Sequence, residues 1–260
     1  MQRAISLGPC AAALLWTLIL AAAQSLCAQT PDPNSPTSSP TISPAIPPPL
    51  QEYMGRQIAQ TMHYTGAEWL VRDVREREER CSVMLASLGA RPGQTVLDMG
   101  CGNGFYTLPM AKMVGTNGRV LAVDIQPEML VMLRARAEQE GVENITPILG
   151  SVHDPRLPAE SVDLALLVDV YHEFSHPEPM LAAMRQALRP KGLLVLVEFR
   201  AEDPNVPIQP LHKMSKDQIR KELAANGFRV AKEFDKLPWQ HMMFFAKDEQ
   251  WTAPAKPVGN

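Results

Sequence analysis

The chain has 260 residues, with 25 Lys and Arg against 28 Asp and Glu and a formal net charge of −3. That length allows one or two domains. The near-neutral balance does not suggest a general nucleic-acid binder, which usually needs a basic stripe, so no nucleic-acid partner is expected.

Arg3 forms a small positive region ahead of the apolar stretch Cys10–Ala23. Small residues follow, with cleavage points after Ala23 or Ala28. This is the layout of a secretory signal peptide over residues 1–28, and it implies an exported protein, periplasmic or secreted. The apolar run is about 14 residues, short of the roughly 20 that span a bilayer, so no stable membrane span is expected. Reading on through Gln24 and Ser25 to Leu26 leaves an uncleaved N-terminal membrane anchor as the alternative. Leu26 before Cys27 is not the small residue of a lipoprotein signal, and no lipidation is expected.

Residues 29–50 are rich in Pro, Ser and Thr, cannot bury a core, and predict a disordered, extended linker. Residues 51–90 predict a helical cap, since Tyr53–Leu88 is mostly helical in character. Val71, Val74, Val83, Leu85 and Leu88 are apolar and the charges fall on one side. Two readings stand: a solvated helix face packed on a sheet, or a cover over a ligand. Cys81 and Cys101 are the only cysteines of the folded part, too few for a disulfide framework. No Cys/His cluster has zinc spacing, and no metal site is expected.

From Thr95 onward, strand-like and helix-like segments alternate. Thr95–Met99, Arg119–Asp124, Asn144–Gly150, Val162–Asp169 and Leu193–Phe199 are apolar runs that predict strands. Phe105–Gly115, Gln126–Gly141 and Pro177–Gly192 between them predict helices, the last two with Pro at the start and Gly at the end. Apolar runs without alternation predict strands covered on both faces, hence α/β architecture with a mostly parallel, doubly wound sheet. The end differs. After a helix at Ser215–Phe228, the strands Arg229–Leu237 and His241–Asp248 are separated only by Pro238, Trp239 and Gln240, a gap that permits an antiparallel C-terminal hairpin but no parallel crossover. Residues 249–260 predict a flexible tail.

The first strand runs into three glycines, Gly100, Gly102 and Gly104. A P-loop needs Gly-Lys-Ser/Thr, and Phe105 follows Gly104 instead. The dinucleotide fingerprint needs its third glycine one residue later. Asp98, at the mouth of the loop, would repel a pyrophosphate at the helix N-terminus and suits a cation or an ammonium. Asp124 ends the second strand about 20 residues after Gly104, the place from which an acid accepts bonds from ribose hydroxyls. A ribose, a cationic group and no phosphate describe S-adenosylmethionine.

The stretches VLDMGCGNG (Val96–Gly104), VLAVDIQPEML (Val120–Leu130), VDLALLVDVYHEF (Val162–Phe174) and LRPKGLLVLVEF (Leu188–Phe199) follow one another as in the class I S-adenosylmethionine-dependent methyltransferases. The chain most resembles the broad group that includes ubiquinone/menaquinone C-methyltransferases, the methyltransferase type 11 kind, from about Pro92 to Lys247. The resemblance implies a Rossmann-like methyltransferase domain over residues 91–248, with a seven-stranded sheet. It implies Asp98 at the methionine ammonium, the backbone of Gly100, Cys101 and Gly102 against the cofactor, and Gly104 for tight strand–helix packing. It places Asp124 on the ribose, Ile125 on adenine, and Asp169 and Val170 at the methionine end. Where family members often carry Gly-Asp-Ala, this chain has Gly150, Ser151 and Val152; Ser151 or Asp154 is then left to meet the adenine.

Methyl transfer is an in-line displacement, and a base is needed only if the acceptor must lose a proton. The candidate catalytic residues are Tyr171, His172 and Glu173, on the sheet edge where open α/β sheets bind ligands. His172 ionises in the right range for proton transfer, and orienting the loop is its other reading. Two flanking segments, with His63, Tyr64 and Trp69 and with His212 and Met214, either close over the acceptor or only pack, Ser215 serving as a helix cap. The expected function is methyl transfer from S-adenosylmethionine to a small-molecule acceptor. The alternative is a catalytically silent binding protein of the same fold, exported from the cytoplasm. The sequence leaves the acceptor and the oligomeric state open.

Overall fold

A computed structural model describes residues 46–253. The expected signal peptide lies outside the described residues, as do most of the linker and the end of the tail. Residues 46–50, inside the expected linker, are exposed yet tied down. Leu50 N–H donates to Ser175 O at 2.9 Å, and His176 Nε2 bonds Pro47 O at 2.8 Å.

The elements in chain order begin with a ribbon, β1 (Glu52–Tyr53) and β2 (Arg56–Gln57). A 3-10 turn (Tyr64–Val71) and two short helices follow, α1 (Arg75–Glu79) and α2 (Cys81–Leu88). The alternating part is β3 (Thr95–Met99), α3 (Thr107–Val114), β4 (Arg119–Asp124), α4 (Pro127–Gln139), β5 (Ile145–Leu149), β6 (Val162–Val168), α5 (Pro177–Ala187) and β7 (Leu188–Arg200). The chain ends with β8 (Lys213–Met214), α6 (Lys216–Ala225), β9 (Phe228–Phe234) and β10 (Gln240–Lys247).

The main sheet has the order β5-β4-β3-β6-β7-β10-β9, parallel from β5 to β7, with β10 antiparallel to both its neighbours. The seven expected strands are present, and the two-residue β8 adds to β7 as an eighth. Alternation along each strand divides the core. Val96, Val120, Leu166, Val197 and Phe244 face one side, toward α2 and α3. Leu97, Leu121, Leu167, Leu196 and Phe245 face the other, toward α5 and α6. Each such side chain, fully buried, contributes about 1.5–3 kcal/mol relative to exposure.

The chain steps from β3 through β4 to β5 on one side, then returns to β6 on the other side of β3. That reversal opens a crevice at the carboxyl ends of β3 and β6. Among the described residues no helix is long and apolar enough to cross a membrane.

Two expectations need correction. The helix over Pro177–Gly192 stops at Ala187, because Pro190 forces Arg189 out of helical geometry and Leu188 pairs with Val162 as strand. The N-terminal segment is not one charged, solvated helix. Arg80, in left-handed conformation (φ 52°), breaks it into α1 and α2, and Arg75 and Glu79 are buried. Glu79 takes guanidinium bonds from Arg72 at 2.5 Å and from Arg75 at 2.9 Å, which is what makes its burial tolerable.

Candidate functional site

A cavity of about 560 Å³ opens at the switch point. Its floor is the glycine loop. Gly100 adopts φ 70°, and a Cβ there would lie 2.5 Å from Val170 Cγ2. Gly102 adopts φ 53°, and its Cβ would lie 2.7 Å from Leu70 Cδ1. The bare loop is thus wedged between the end of β6 and the N-terminal cover, with its backbone facing the cavity.

Asp124 ends β4 and is 6% exposed. Its Oδ2 accepts Gly102 N–H and its Oδ1 accepts Gln126 N–H, both at 2.9 Å. Burial raises its pKa, and those N–H bonds oppose the rise. Asp124, Ile125, Ser151 and Val152 all line the cavity. The Ser151 hydroxyl is engaged with Asp154, accepting its N–H at 3.1 Å, while Asp154 Oδ1 turns to Arg156 N–H at 2.7 Å. Gln126 ties down the cover, accepting Tyr64 N–H at 2.8 Å and donating to Met62 O at 2.9 Å.

Three of the expected cofactor residues lie off the cavity wall. Asp98 is buried beneath the loop and accepts a bond from the Thr107 hydroxyl in the first turn of α3. Burial, reinforced by Asp124, lifts its pKa to about 7. It does not face the cavity, because the hydroxyl beneath the loop captures it. Cys101 is a buried filler among Leu108, Ala122, Leu130 and Leu133. Gly104 gives close approach to Leu133 of α4.

The second wall follows β6. Asp169 lines the cavity at φ 53°, a strained conformation for a non-glycine residue. Its Oδ2 accepts Gln240 Nε2–H at 2.8 Å, and its buried Oδ1 has no partner among the described residues. Burial, with Glu79 and Glu198 nearby, pushes its pKa well up. Val170 packs on Gly100.

Beyond Val170 a 3-10 turn carries the three candidate catalytic residues, and it separates them. Tyr171 is fully buried and points away from the cavity, its hydroxyl donating to Glu222 Oε2 at 2.8 Å. Arg56 pairs with the same Glu222 at 2.8 Å, so Tyr171 anchors the ribbon side of the molecule rather than the site. His172 and Glu173 line the cavity. His172 Nδ1 lies 2.6 Å from Glu198 Oε2, and its Nε2 lies 3.0 Å from His212 Nδ1. Burial works against a charge on His172, but the Glu198 carboxylate outweighs it and raises the pKa. His212 is shifted down, by burial and by His172. Glu173 Oε1 takes Met62 N–H at 3.3 Å, and burial lifts its pKa to about 7.

Sequence reasoning missed Glu198 and left His212 as one of two flanking possibilities. Glu198 sits in β7, read there as a core strand. His212 arrives through a 3-10 turn (Pro210–His212) that β8 fixes against β7. His172, Glu173 and His212 offer ligand atoms within 4.8 Å of one another, a cluster that residue spacing does not announce.

A family model described as a methyltransferase domain matches residues 90–247. Nocamycin O-methyltransferase of Saccharothrix syringae is 33% identical over 113 residues, 44% of this chain and 40% of that protein. The ubiquinone/menaquinone biosynthesis C-methyltransferase UbiE of Vibrio vulnificus is 31% identical over 112 residues, 43% of each. The match thus spans less than half the length of these curated relatives. The crystal structure of a SAM dependent methyltransferase from Aquifex aeolicus superposes with a TM-score of 0.67 at 24% identity, over 71% of this chain and 98% of that one, and shows the same fold. With more than half its residues matched, including the glycine loop and the closing strands, the chain belongs to the methyltransferase domain family, as a class I S-adenosylmethionine-dependent member.

Proposed function

We propose that the chain transfers a methyl group from S-adenosylmethionine to a small-molecule acceptor held in the outer part of the cavity. The observation that carries this reading is that the glycine loop and the His172–Glu173–His212 cluster line one and the same cavity.

The residues present fit the cofactor on two counts. Gly100 and Gly102 bring bare backbone to the cavity wall, and Asp169 Oδ1 is a buried acceptor with no donor among the described residues. On this reading Asp124 binds the ribose hydroxyls, Ile125 and Val152 flank adenine, and Ser151 meets its edge. Asp169 takes the methionine ammonium in place of Asp98, which supports the loop from beneath. When bound, the cofactor supplies an electrophilic methyl on a sulfonium.

The chain's part is to position and to dry. Met62, Leu70, Phe174, Met180, Phe199 and Ile208 give the cavity apolar walls, which suit an apolar acceptor and exclude water. The name of one relative is that of an O-methyltransferase and that of another a C-methyltransferase, and either kind of transfer replaces an acceptor proton by methyl. His172 Nε2 accepts that proton here. Glu198 holds Nδ1, fixing the tautomer and balancing the charge that forms. His212 hydrogen-bonds the same nitrogen at 3.0 Å and holds it at the cavity edge until the acceptor takes that place.

Titrating the full-length protein with S-adenosylmethionine, then incubating it with labelled cofactor and a small-molecule extract, tests the reading. Micromolar binding that weakens in Asp124→Ala, with label moved to an extract component, is the expected result. Absence of binding overturns the enzyme reading, and binding without transfer favours the silent binding protein.

A further inference from the structure

The geometry points to a divalent metal site: we infer that His172 Nε2, His212 Nδ1 and a Glu173 carboxylate oxygen bind one first-row transition-metal ion, with open coordination positions toward the cavity.

The separations fit. Two nitrogen ligands about 2.1 Å from one ion, at tetrahedral or octahedral angles, lie roughly 3.0–3.4 Å apart. His172 Nε2 and His212 Nδ1 are 3.0 Å apart. Glu173 Oε1 lies 4.0 Å from His172 Nε2, within reach of the same ion after a small side-chain rotation.

The second observation is the support behind the ligand. A metal-binding imidazole almost always gives its other N–H to a carboxylate or a carbonyl, which fixes the tautomer and the ring. His172 Nδ1 meets Glu198 Oε2 at 2.6 Å, while Glu198 Oε1 is held by Tyr171 N–H at 2.9 Å. Nε2 is thereby turned to the cavity side, where it meets the second ligand, His212 Nδ1, at 3.0 Å. His172 is 1% exposed, so this orientation is packed in place and costs no ordering on binding.

Charge makes the same case. Among the described residues, neither Glu173 nor Glu198 has a Lys or Arg ion-pair partner; each is paired only with His172. Two buried carboxylates beside two imidazoles form a pocket that a dication neutralises. Two His and one carboxylate select Zn²⁺, Co²⁺, Mn²⁺ or Fe²⁺ over the oxygen-seeking Ca²⁺ and Mg²⁺. Three protein ligands with open positions are the pattern of a working site rather than a structural one.

Resting on the methyl-transfer reading, one consequence follows. An acceptor hydroxyl bound to the ion would release its proton to water, so the proton-accepting role of His172 Nε2 belongs to the metal-free protein. The site itself is independent of that reading, and its test runs without cofactor.

Full-length protein is stripped with chelator and titrated with Co²⁺ by visible absorption, then with Zn²⁺ in competition. The expected result is one equivalent of tight binding, weakened at least about tenfold in His212→Ala and in Glu173→Gln, and by about 10–100-fold in Glu198→Gln. Circular dichroism and S-adenosylmethionine affinity are read on the same samples, so that a misfolded variant is recognised and replaced by Glu173→Ala or His212→Gln. No binding, or binding unchanged across the folded variants, overturns the site. Cofactor binding that persists in that case leaves the methyl-transfer reading standing.

Discussion

Glu198, in the middle of the sheet on β7, holds His172, in a turn after β6, through a 2.6 Å bond to Nδ1. Neither side chain is exposed by more than 2%. The pair converts an ordinary turn histidine into one with a fixed tautomer whose free nitrogen faces the cavity and His212.

From this pair comes a first prediction. His172→Ala lowers transfer by about 10²–10⁴-fold, the usual range for loss of a positioned proton acceptor. Cofactor affinity stays within about threefold of wild type, because His172 is not among the residues assigned to the cofactor. Glu198→Gln keeps the shape but not the charge and lowers turnover while leaving the acceptor KM nearly unchanged, as expected of a positioning residue. Steady-state kinetics with an extract component that takes up the label checks both. Equal loss of cofactor affinity in the two variants would show a structural role only.

Asp98 predicts a pH dependence of stability. Its folded pKa of about 7 lies above the unfolded value, since burial favours the protonated form. A raised carboxylate contributes stability that is fully present below the unfolded pKa. That stability is lost as pH rises from about 4 through about 7, by a difference on the order of 4 kcal/mol. Asp98→Asn keeps the acceptor for the Thr107 hydroxyl and has no proton to lose. Urea denaturation of the cofactor-free protein is expected to show wild type weakening relative to Asp98→Asn across that window, then running parallel above it. A constant difference from pH 4 to pH 8 would show that Asp98 does not titrate there.

The glycine loop predicts a repairable lesion. In Gly102→Ala the new Cβ meets Leu70 Cδ1 at 2.7 Å, and alanine at φ 53° carries a further strain of about 1–2 kcal/mol. Cofactor affinity is expected to fall at least about tenfold. Leu70→Ala in the same chain removes the collision but not the backbone strain, so affinity returns in part. Isothermal titration of the two variants and the double variant reads this directly; no rescue would mean that the loop and the cover do not touch in solution.

Much of this arrangement was legible in order along the chain. Thr95–Met99 and Arg119–Asp124 were read to the residue, because strands covered on both faces leave unbroken apolar runs. Gly100, Gly102 and Asp124 were legible for a related reason, since loop and acid occupy fixed places in one βαβ unit. What escaped was whatever the third dimension supplies. Glu198 looks like a charge interrupting a strand until Tyr171 and His172 fold over it. His212 stands 40 residues from His172 and is delivered by the pairing of β8 with β7. Arg75 and Glu79 read as solvated because periodicity cannot see that one is the other's partner. Asp98 read as a ligand group because the hydroxyl that captures it comes from the next helix.

Tyr171 gives the sharpest contrast with its neighbour. Its hydroxyl donates to Glu222, which also pairs with Arg56, and its ring is fully buried away from the cavity. Tyr171→Phe removes one hydrogen bond to a charged acceptor and nothing from the cavity wall. The expected cost is about 1.5–3 kcal/mol of stability, seen as a lower denaturation midpoint with an unchanged m-value. At a temperature where both proteins stay folded, kcat and both KM values should remain within about twofold of wild type. A variant of normal stability whose turnover collapses would return Tyr171 to the reaction and require the turn after β6 to rotate when ligands bind.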